Sequence, residues 1–414
     1  MREMRDSGIE WVGAIPQDWQ LSKIGNLYTQ RNEKVSDKDY QPLSVTMQGI
    51  LPQLATAAKT NDGDNRKLVR VGDFAINSRS DRRGSCGISP LDGSVSLINI
   101  ILTPRTAMHP GYYNWLFHTT LFADEFYKWG HGIVADLWTT RWQEMKSITV
   151  PVPEYAEQER IAAFLDAECA EIDAVLEKTR ASIEEYKKLK QAVITQAVTK
   201  GVRGDRPMKD SGIEWIGDIP AEWDVLNLVA HTSMLTPMRD RPENLDGPIP
   251  WVRIEDFEGK YIESSKAGLG VSMKTVKEMN LKVYPVGTIL CTSSCIMGKC
   301  AIVSRELVSN QRFIGIIPDQ TTDKTYLYYL MTSNAERMNF LSTGALQANL
   351  SRSAFEHLKV QFPPYSEQQE IAAYLDDKCE KIDELILKKQ QYLTEIENYK
   401  KSLIYEYVTG KREV

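Results

Sequence analysis

The sequence opens twice. DSGIEWVGAIPQDW at 6–19 returns as DSGIEWIGDIPAEW at 210–223, and VPVPEYAEQERIAAFLDAECAEIDAVLEK at 150–178 returns as VQFPPYSEQQEIAAYLDDKCEKIDELILK at 360–388, with about half of the latter positions identical. Between these anchors a weaker pair, 71–89 and 286–303, sets Gly72 opposite Gly287, Gly84 opposite Gly298 and Cys86 opposite Cys300. The order is the same in both halves. A period above 200 residues is too long for a solenoid, so the chain must be built from one two-part unit used twice.

Each unit divides by composition. Segments 1–153 and 205–363 hold nearly all the Gly, Pro and Trp, with short β-branched runs such as 68–76 and 283–290 between turn residues. They read as mixed α/β (α+β) globular domains. Segments 154–204 and 364–414 are rich in Ala, Glu, Lys, Gln and Leu, and 156–200 and 366–409 lack Gly and Pro. These read as two long helices, one ending near Gly201, the other opened by a Ser366…Gln369 capping box and closed near Gly410.

Stepping by alternate fours and threes from Leu165 gives Cys169, Ile172, Leu176, Thr179, Ile183, Tyr186, Lys190, Val193 and Ala197. The same steps from Leu375 give Cys379, Ile382, Ile386, Lys389, Leu393, Ile396, Lys400, Leu403 and Tyr407. A 3.5-residue seam asks for a partner helix, and the other copy is the obvious one, paired as an antiparallel coiled coil. The alternative is that each helix packs only on its own globular domain. A pair of about 42 residues would run about 60 Å at about 1.5 Å per residue. That exceeds one turn of B-DNA, about 34–36 Å.

With 42% hydrophobic and 26% charged residues, the 414-residue chain has an ordinary globular composition and room for two to three domains. No apolar run approaches the roughly 20 residues a bilayer crossing needs, and the first residues lack a signal pattern, so a cytoplasmic protein without membrane contact is expected. Six cysteines are too few for a disulfide scaffold in this length. Cys291, Cys295 and Cys300 lack CxxC spacing and read as reduced thiols, and His109, His118, His131, His231 and His357 form no ligand spacing, so no metal site is expected. The formal net charge is -6. It divides into about +1 and about -2 for the globular segments and about -2 and about -3 for the helices, so nucleic-acid binding would have to rest on local patches.

Catalytic signatures are missing from the sequence. There is no NPPY- or DPPY-type tetrapeptide and no glycine-rich cofactor loop. SSCIMGKC at 293–300 has Ser293 and Cys300 where a phosphate-binding loop needs Gly and Ser or Thr, and the Asp256…Glu258…Lys260 run lacks the upstream acid of a nuclease centre. No catalytic residue is assigned.

The DSGIEWxGxIPxxW openings, the EQxxIAxxLD helix starts at 157–166 and 367–376 and the AVTKG and YVTGK helix ends together resemble type I restriction-modification specificity subunits, over essentially the whole chain. The resemblance implies target recognition domain 1 at 1–153, conserved spacer helix 1 at 154–204, target recognition domain 2 at 205–363 and conserved spacer helix 2 at 364–414. It implies a non-catalytic subunit that reads a split double-stranded DNA site, one half-site per domain. It would dock two methyltransferase subunits for adenine methylation, with two restriction-translocase subunits able to join. S-adenosylmethionine, ATP and magnesium would belong to those partners, with no cofactor in this chain. The rival readings are a self-sufficient nuclease or methyltransferase and a coiled-coil scaffold without DNA binding.

Candidate DNA-contacting residues follow from side-chain chemistry. The loop NSRSDRRGS at 77–85 offers Arg79, Arg82 and Arg83, whose guanidinium forks suit guanine or phosphate. Its counterpart at 292–299 is less basic and offers Ser293, Ser294 and Lys299. HGIVADLWTTRW at 131–142 aligns with GALQANLSRS at 344–353, adding Arg141, Gln347, Asn349 and Arg352, with Val134 and Asp136 in place of the QxNL pattern in the first copy. For each loop the alternative is a plain structural turn. Trp11, Trp19, Trp215 and Trp223 occupy matching positions in both halves, so they are expected to serve the core or helix docking rather than base reading.

Overall fold

The computed structural model describes residues 2–53, 62–132, 138–238, 240–294, 298–341 and 350–414. Two helices dominate: α1, Tyr155–Lys200, and α2, Tyr365–Val408. The chain folds as two compact units, 1–180 with 390–414, and 181–389. Each unit therefore holds one globular part, the first half of the helix that follows it, and the second half of the other helix.

In the first unit the central sheet is built from β1 (Tyr28–Arg31), β2 (Phe74–Asn77), β3 (Cys86–Ile88) and β4 (Asn99–Pro104), in the order β3-β2-β4-β1 and antiparallel throughout. In the second, β5 (Thr232–Leu235), β6 (Ile289–Thr292), β7 (Cys300–Val303) and β8 (Phe313–Pro318) repeat it as β7-β6-β8-β5. Tyr261–Ile262 adds a parallel strand on the outer side of β7. The weakly matched sequence pair is thus the hairpin β2–β3 and its copy β6–β7. Gly72 and Gly287 precede these hairpins with φ of +86° and +90°, and Gly84 and Gly298 sit within them at +76° each, a region that a side chain disfavours.

The cores repeat as well. In the first unit Tyr28, Phe74, Tyr113, Phe117 and Phe122 pack ring against ring behind the sheet, with Ile161 and Leu165 of α1 and Leu403, Tyr407 and Val408 of α2 in the same cluster. In the second unit Trp223, Tyr326, Leu330 and Phe355 pack with Ile371, Leu375 and Cys379 of α2 and Ile194, Ala197 and Val198 of α1. Each fully buried side chain of this size stabilises by about 1.5–3 kcal/mol.

The helices run antiparallel in both units. In the first, Phe164 meets Tyr407 (ring centroids 4.4 Å apart), Asp173 meets Lys400 (2.6 Å) and Arg180 meets Glu397 (2.8 Å), so one index rises as the other falls. In the second, Tyr186 lies under Lys389 (5.6 Å) and Lys190 pairs with Asp383 (2.6 Å). Leu165, Leu176, Ile183, Leu375 and Ile382 are buried, while Ile172, Ile386 and Leu393 are half-buried. Pairing and packing on the globular parts occur together: Tyr112 Oη donates to the Val408 carbonyl (2.8 Å), and Gln361 Nε2 to that of Val198 (2.7 Å).

The helix ends differ from the sequence expectation at one point. Ser366 lies inside the first turn of α2, because the helix begins directly after Pro363 and Pro364. There Gln368 Nε2 secures the start by donating to the Pro363 carbonyl (2.9 Å), as Gln158 does to Pro153 (2.8 Å) at the start of α1. Gly201 and Gly410 close the two helices at φ of +74° and +69°.

Candidate nucleic-acid interface

The antiparallel sheets bring distant loops to one edge. In the first unit the edge lies where β2 ends and β3 and β4 begin, since Asn77 pairs with Asn99 and donates to the Ser85 carbonyl (2.9 Å). Ser78 accepts from the amide of Thr140 (3.0 Å), Ser80 donates to the Trp138 carbonyl (3.1 Å), and Arg79 bridges Thr139. The two loops singled out in the first half are therefore stitched side by side. In the second unit Ser293 accepts from Leu350 (2.9 Å), and Thr292 donates to the Lys299 carbonyl (2.9 Å), which reproduces two of these stitches, Ser78–Thr140 and Asn77–Ser85.

The arginines on the first edge are not equivalent. Ser80–Arg82 forms a single 3₁₀ turn, and Arg79, Arg82 and Arg83 are all exposed. Arg83 is engaged within the protein, ion-paired with Asp124 and lying over the Tyr127 ring at 5.7 Å. Among the described residues the Arg82 guanidinium has only a loose contact, with Asp81 at 3.7 Å. Burial pushes the Tyr127 phenol up, so its hydroxyl stays a donor, and it anchors the loop through the carbonyls of Asn77 and Arg82 (3.2 Å each). Arg141 is exposed at the start of the short helix Trp142–Met145, where its amide donates to Glu144 Oε2 (3.0 Å).

On the second edge Ser293 is half-buried and Lys299 exposed, its Nζ 5.9 Å from the Phe257 ring centre. Arg352 donates to Glu356 (2.7 Å) in the short helix that Ser351 caps. The stitching places Ser351, not Arg352, opposite Arg141, so the two arginines sit one position out of step. Gln347 and Asn349 lie outside the described residues, as do Val134, Asp136 and Cys295.

The residues that hinted at other chemistry have structural duties. Asp256 is buried and caps its own turn, accepting from the amides of Arg253 (2.7 Å) and Lys266 (2.9 Å), while Lys260 pairs with Asp376 (2.5 Å). Cys291 and Cys300 face each other across β6 and β7 with sulfurs 2.6 Å apart, and burial, then the Cys300 contact, pushes the Cys291 thiol up. Among the described residues no group of three or more His, Cys, Asp or Glu could hold a metal.

The model of the type I restriction modification DNA specificity domain matches residues 224–398. The chain is 36% identical over 176 residues to the type I restriction enzyme MjaIX specificity subunit of Methanocaldococcus jannaschii, an alignment covering 40% of each protein. It is 22% identical over 434 residues to the MjaVIII specificity subunit of the same organism, covering 97% of this chain and 94% of that one. The chain is thus similar to type I restriction-modification specificity subunits, by the domain match at 224–398 and by an alignment over nearly its whole length. A solved chain from work on complex assembly and conformational transition of the type I R-M system has the same fold, with TM-score 0.76, 13% identity and coverage of 96% and 99%.

What the shared openings do in this fold was beyond the sequence. Trp19 Nε1 donates to Glu157 Oε2 (2.9 Å), and Arg2 Nη2 binds the same carboxylate (3.1 Å). Trp223 Nε1 donates to Glu367 Oε2 (3.0 Å), with Arg206 Nη2 2.6 Å from Oε1. The neighbouring Gln158 and Gln368 accept from the amides of His109 (2.9 Å) and Asp323 (2.8 Å). The Glu-Gln pair of each EQxxIA run is thus a clamp, the Glu holding the opening tryptophan and the Gln the helix that packs on it. The signal available in sequence was only that Trp and Glu recur together. The first tryptophan of each opening differs: Trp11 is buried edge-on to Phe122 (5.8 Å), whereas Trp215 is 43% exposed under Arg337 (3.9 Å).

Proposed function

We propose that this chain is the non-catalytic, DNA-reading subunit of a type I restriction-modification complex, each globular domain contacting one half of a split double-stranded site. The observation that carries the reading is that the two edges share their backbone stitches while their exposed side chains differ. Ser78 and Ser293 accept the same bond in the two domains, yet the exposed Arg79 stands where the second domain has the buried Ser294, and the exposed Lys299 where the first has the buried Ser85. A shared frame with unlike side chains suits two half-sites of unlike sequence.

On this reading the paired helices carry methyltransferase subunits, two per chain by the duplication, and restriction-translocase subunits join them. S-adenosylmethionine, ATP and magnesium act in those partners, within the cytoplasm where the DNA is. No helix among the described residues is long and apolar enough to cross a membrane.

The experiment is adenine methylation by the full chain with the methyltransferase subunit encoded beside it, mapped across a genome. One split sequence should be methylated, and only with both proteins present. Methyl transfer by the chain alone, or methylation without sequence preference, would overturn the proposal. Changing Arg79, Arg82 and Arg83 together to Ala should weaken recognition of one half-site and leave assembly with the partner intact.

A further inference from the structure

The second domain looked poor in basic residues because its loop at 292–299 holds only Lys299. The fold supplies the missing charge from elsewhere. The strand Ile249–Val252 pairs in parallel with Val308–Ser309, so its end and the start of β8 meet at the edge that carries Ser293. The amide of Ser293 donates to the Arg312 carbonyl (2.8 Å), and the Phe257 and Phe313 rings stack at 5.2 Å beneath Lys299. Here Arg241, Arg253 and Arg312 line a cleft of about 320 Å³ together with Trp251, Glu255, Asn310 and Gln311.

We infer that this cleft is where the second domain contacts its half-site DNA, with Arg241 and Arg312 as the contacting cations; the inference rests on the DNA-reading function proposed above. Both arginines are exposed, and neither has a carboxylate partner among the described residues. Arg253 is half-buried and held by Glu255 at 3.0 Å, which leaves one carboxylate among three guanidinium groups. Arg241 lies 5.8 Å from the centre of the buried Trp251 ring, a contact that orients a guanidinium without neutralising it. Asn310 and Gln311 add amides able to pair with base edges beside forks that suit guanine or phosphate.

The place on the fold selects DNA over a small free anion. The cleft borders the strand-end edge that in the first domain carries Arg79 and Arg82. In that domain the position stitched to Ser78 is Ile98 (3.4 Å), not an arginine. The two domains thus draw positive charge to the same edge from different segments, the first from its β2–β3 loop, the second from the residue before β8 and the segments leading into and out of Ile249–Val252. This is how one frame acquires two specificities.

The test uses the full chain with its methyltransferase subunit and a duplex bearing the split site that the wild-type complex methylates. Arg241→Gln with Arg312→Gln should weaken binding by 10-fold or more. It should also make the slope of log affinity against log salt shallower by about 1–2, one counterion being released per phosphate contact. Lys274→Gln, an exposed change on the short helix Met273–Glu278, should leave both unchanged. Binding by the double variant within two-fold of wild type, with unaltered methylation of the split site, would remove the cleft while leaving the DNA-reading function standing. A wild-type complex with no sequence-selective binding would remove that function, and the cleft with it.

Discussion

Glu367→Ala is the sharpest test of the clamp that joins each opening to its helix. The carboxylate is fully buried, accepts from Trp223 Nε1 at 3.0 Å and faces Arg206 at 2.6 Å, in an ion pair whose geometry is poor for a hydrogen bond. Its removal strands an indole N–H on a ring that is 0% exposed, a loss of about 1–3 kcal/mol. Arg206 still holds Glu222 (3.0 Å) and the Lys200 carbonyl (3.1 Å), so its charge is not left alone. The total therefore falls at the low end of the range for breaking a buried pair, about 3 kcal/mol. In a unit of this size that is a drop in Tm of about 6–12 °C, read by circular dichroism on heating. Glu367→Gln keeps an oxygen for the indole and should lose roughly half as much, about 1.5 kcal/mol. A drop below about 2 °C for the alanine variant, or equal damage from both, would refute the clamp. Glu157→Ala should repeat the lesion through Trp19 and Arg2 in the first unit.

Other expectations can be checked with the same protein. Gly84→Ala meets open space and should lose only about 1–2 kcal/mol for its positive φ, whereas the matched Gly298→Ala would also place its Cβ 2.4 Å from the Ala335 backbone and should lose distinctly more by thermal denaturation. Burial pushes the Cys86 thiol from its ordinary 9.0 up to about 12, so the folded state holds the proton more tightly than the unfolded one. Its stabilising contribution is full below about pH 9 and is lost as pH rises towards 12. Urea titrations of Cys86→Ala against wild type should show the variant with the flatter alkaline limb. A double-mutant cycle on Lys400 and Asp173, the latter 57% exposed, should give a coupling of about 0.5 kcal/mol, shrinking in 1 M salt.

Much of the frame was readable because its signals are local or repeated. The 3.5-residue seam specified which faces of α1 and α2 are covered, and positive-φ glycines at 72, 84, 287 and 298 marked the same hairpin twice. The helix start at 365 was misread because Ser366 and Gln369 satisfy the capping pattern, while two prolines just upstream set the boundary. The site was only partly legible. Arg79 and Arg82 stood out as a run, but nothing in the run said that Arg83 is engaged by Asp124 and Tyr127, 41 and 44 positions away.

By itself, then, the sequence determined that a globular part and a helix occur twice, and that each helix has one apolar seam. Both follow from composition and period, which act between near neighbours. Tertiary structure decided what meets what. Strand pairing carried Arg253 and Arg312 to one edge, and burial of Glu157 and Glu367 tied each opening to its helix. Such meetings depend on sheet register and core packing across tens to hundreds of residues, a scale on which periodicity is silent.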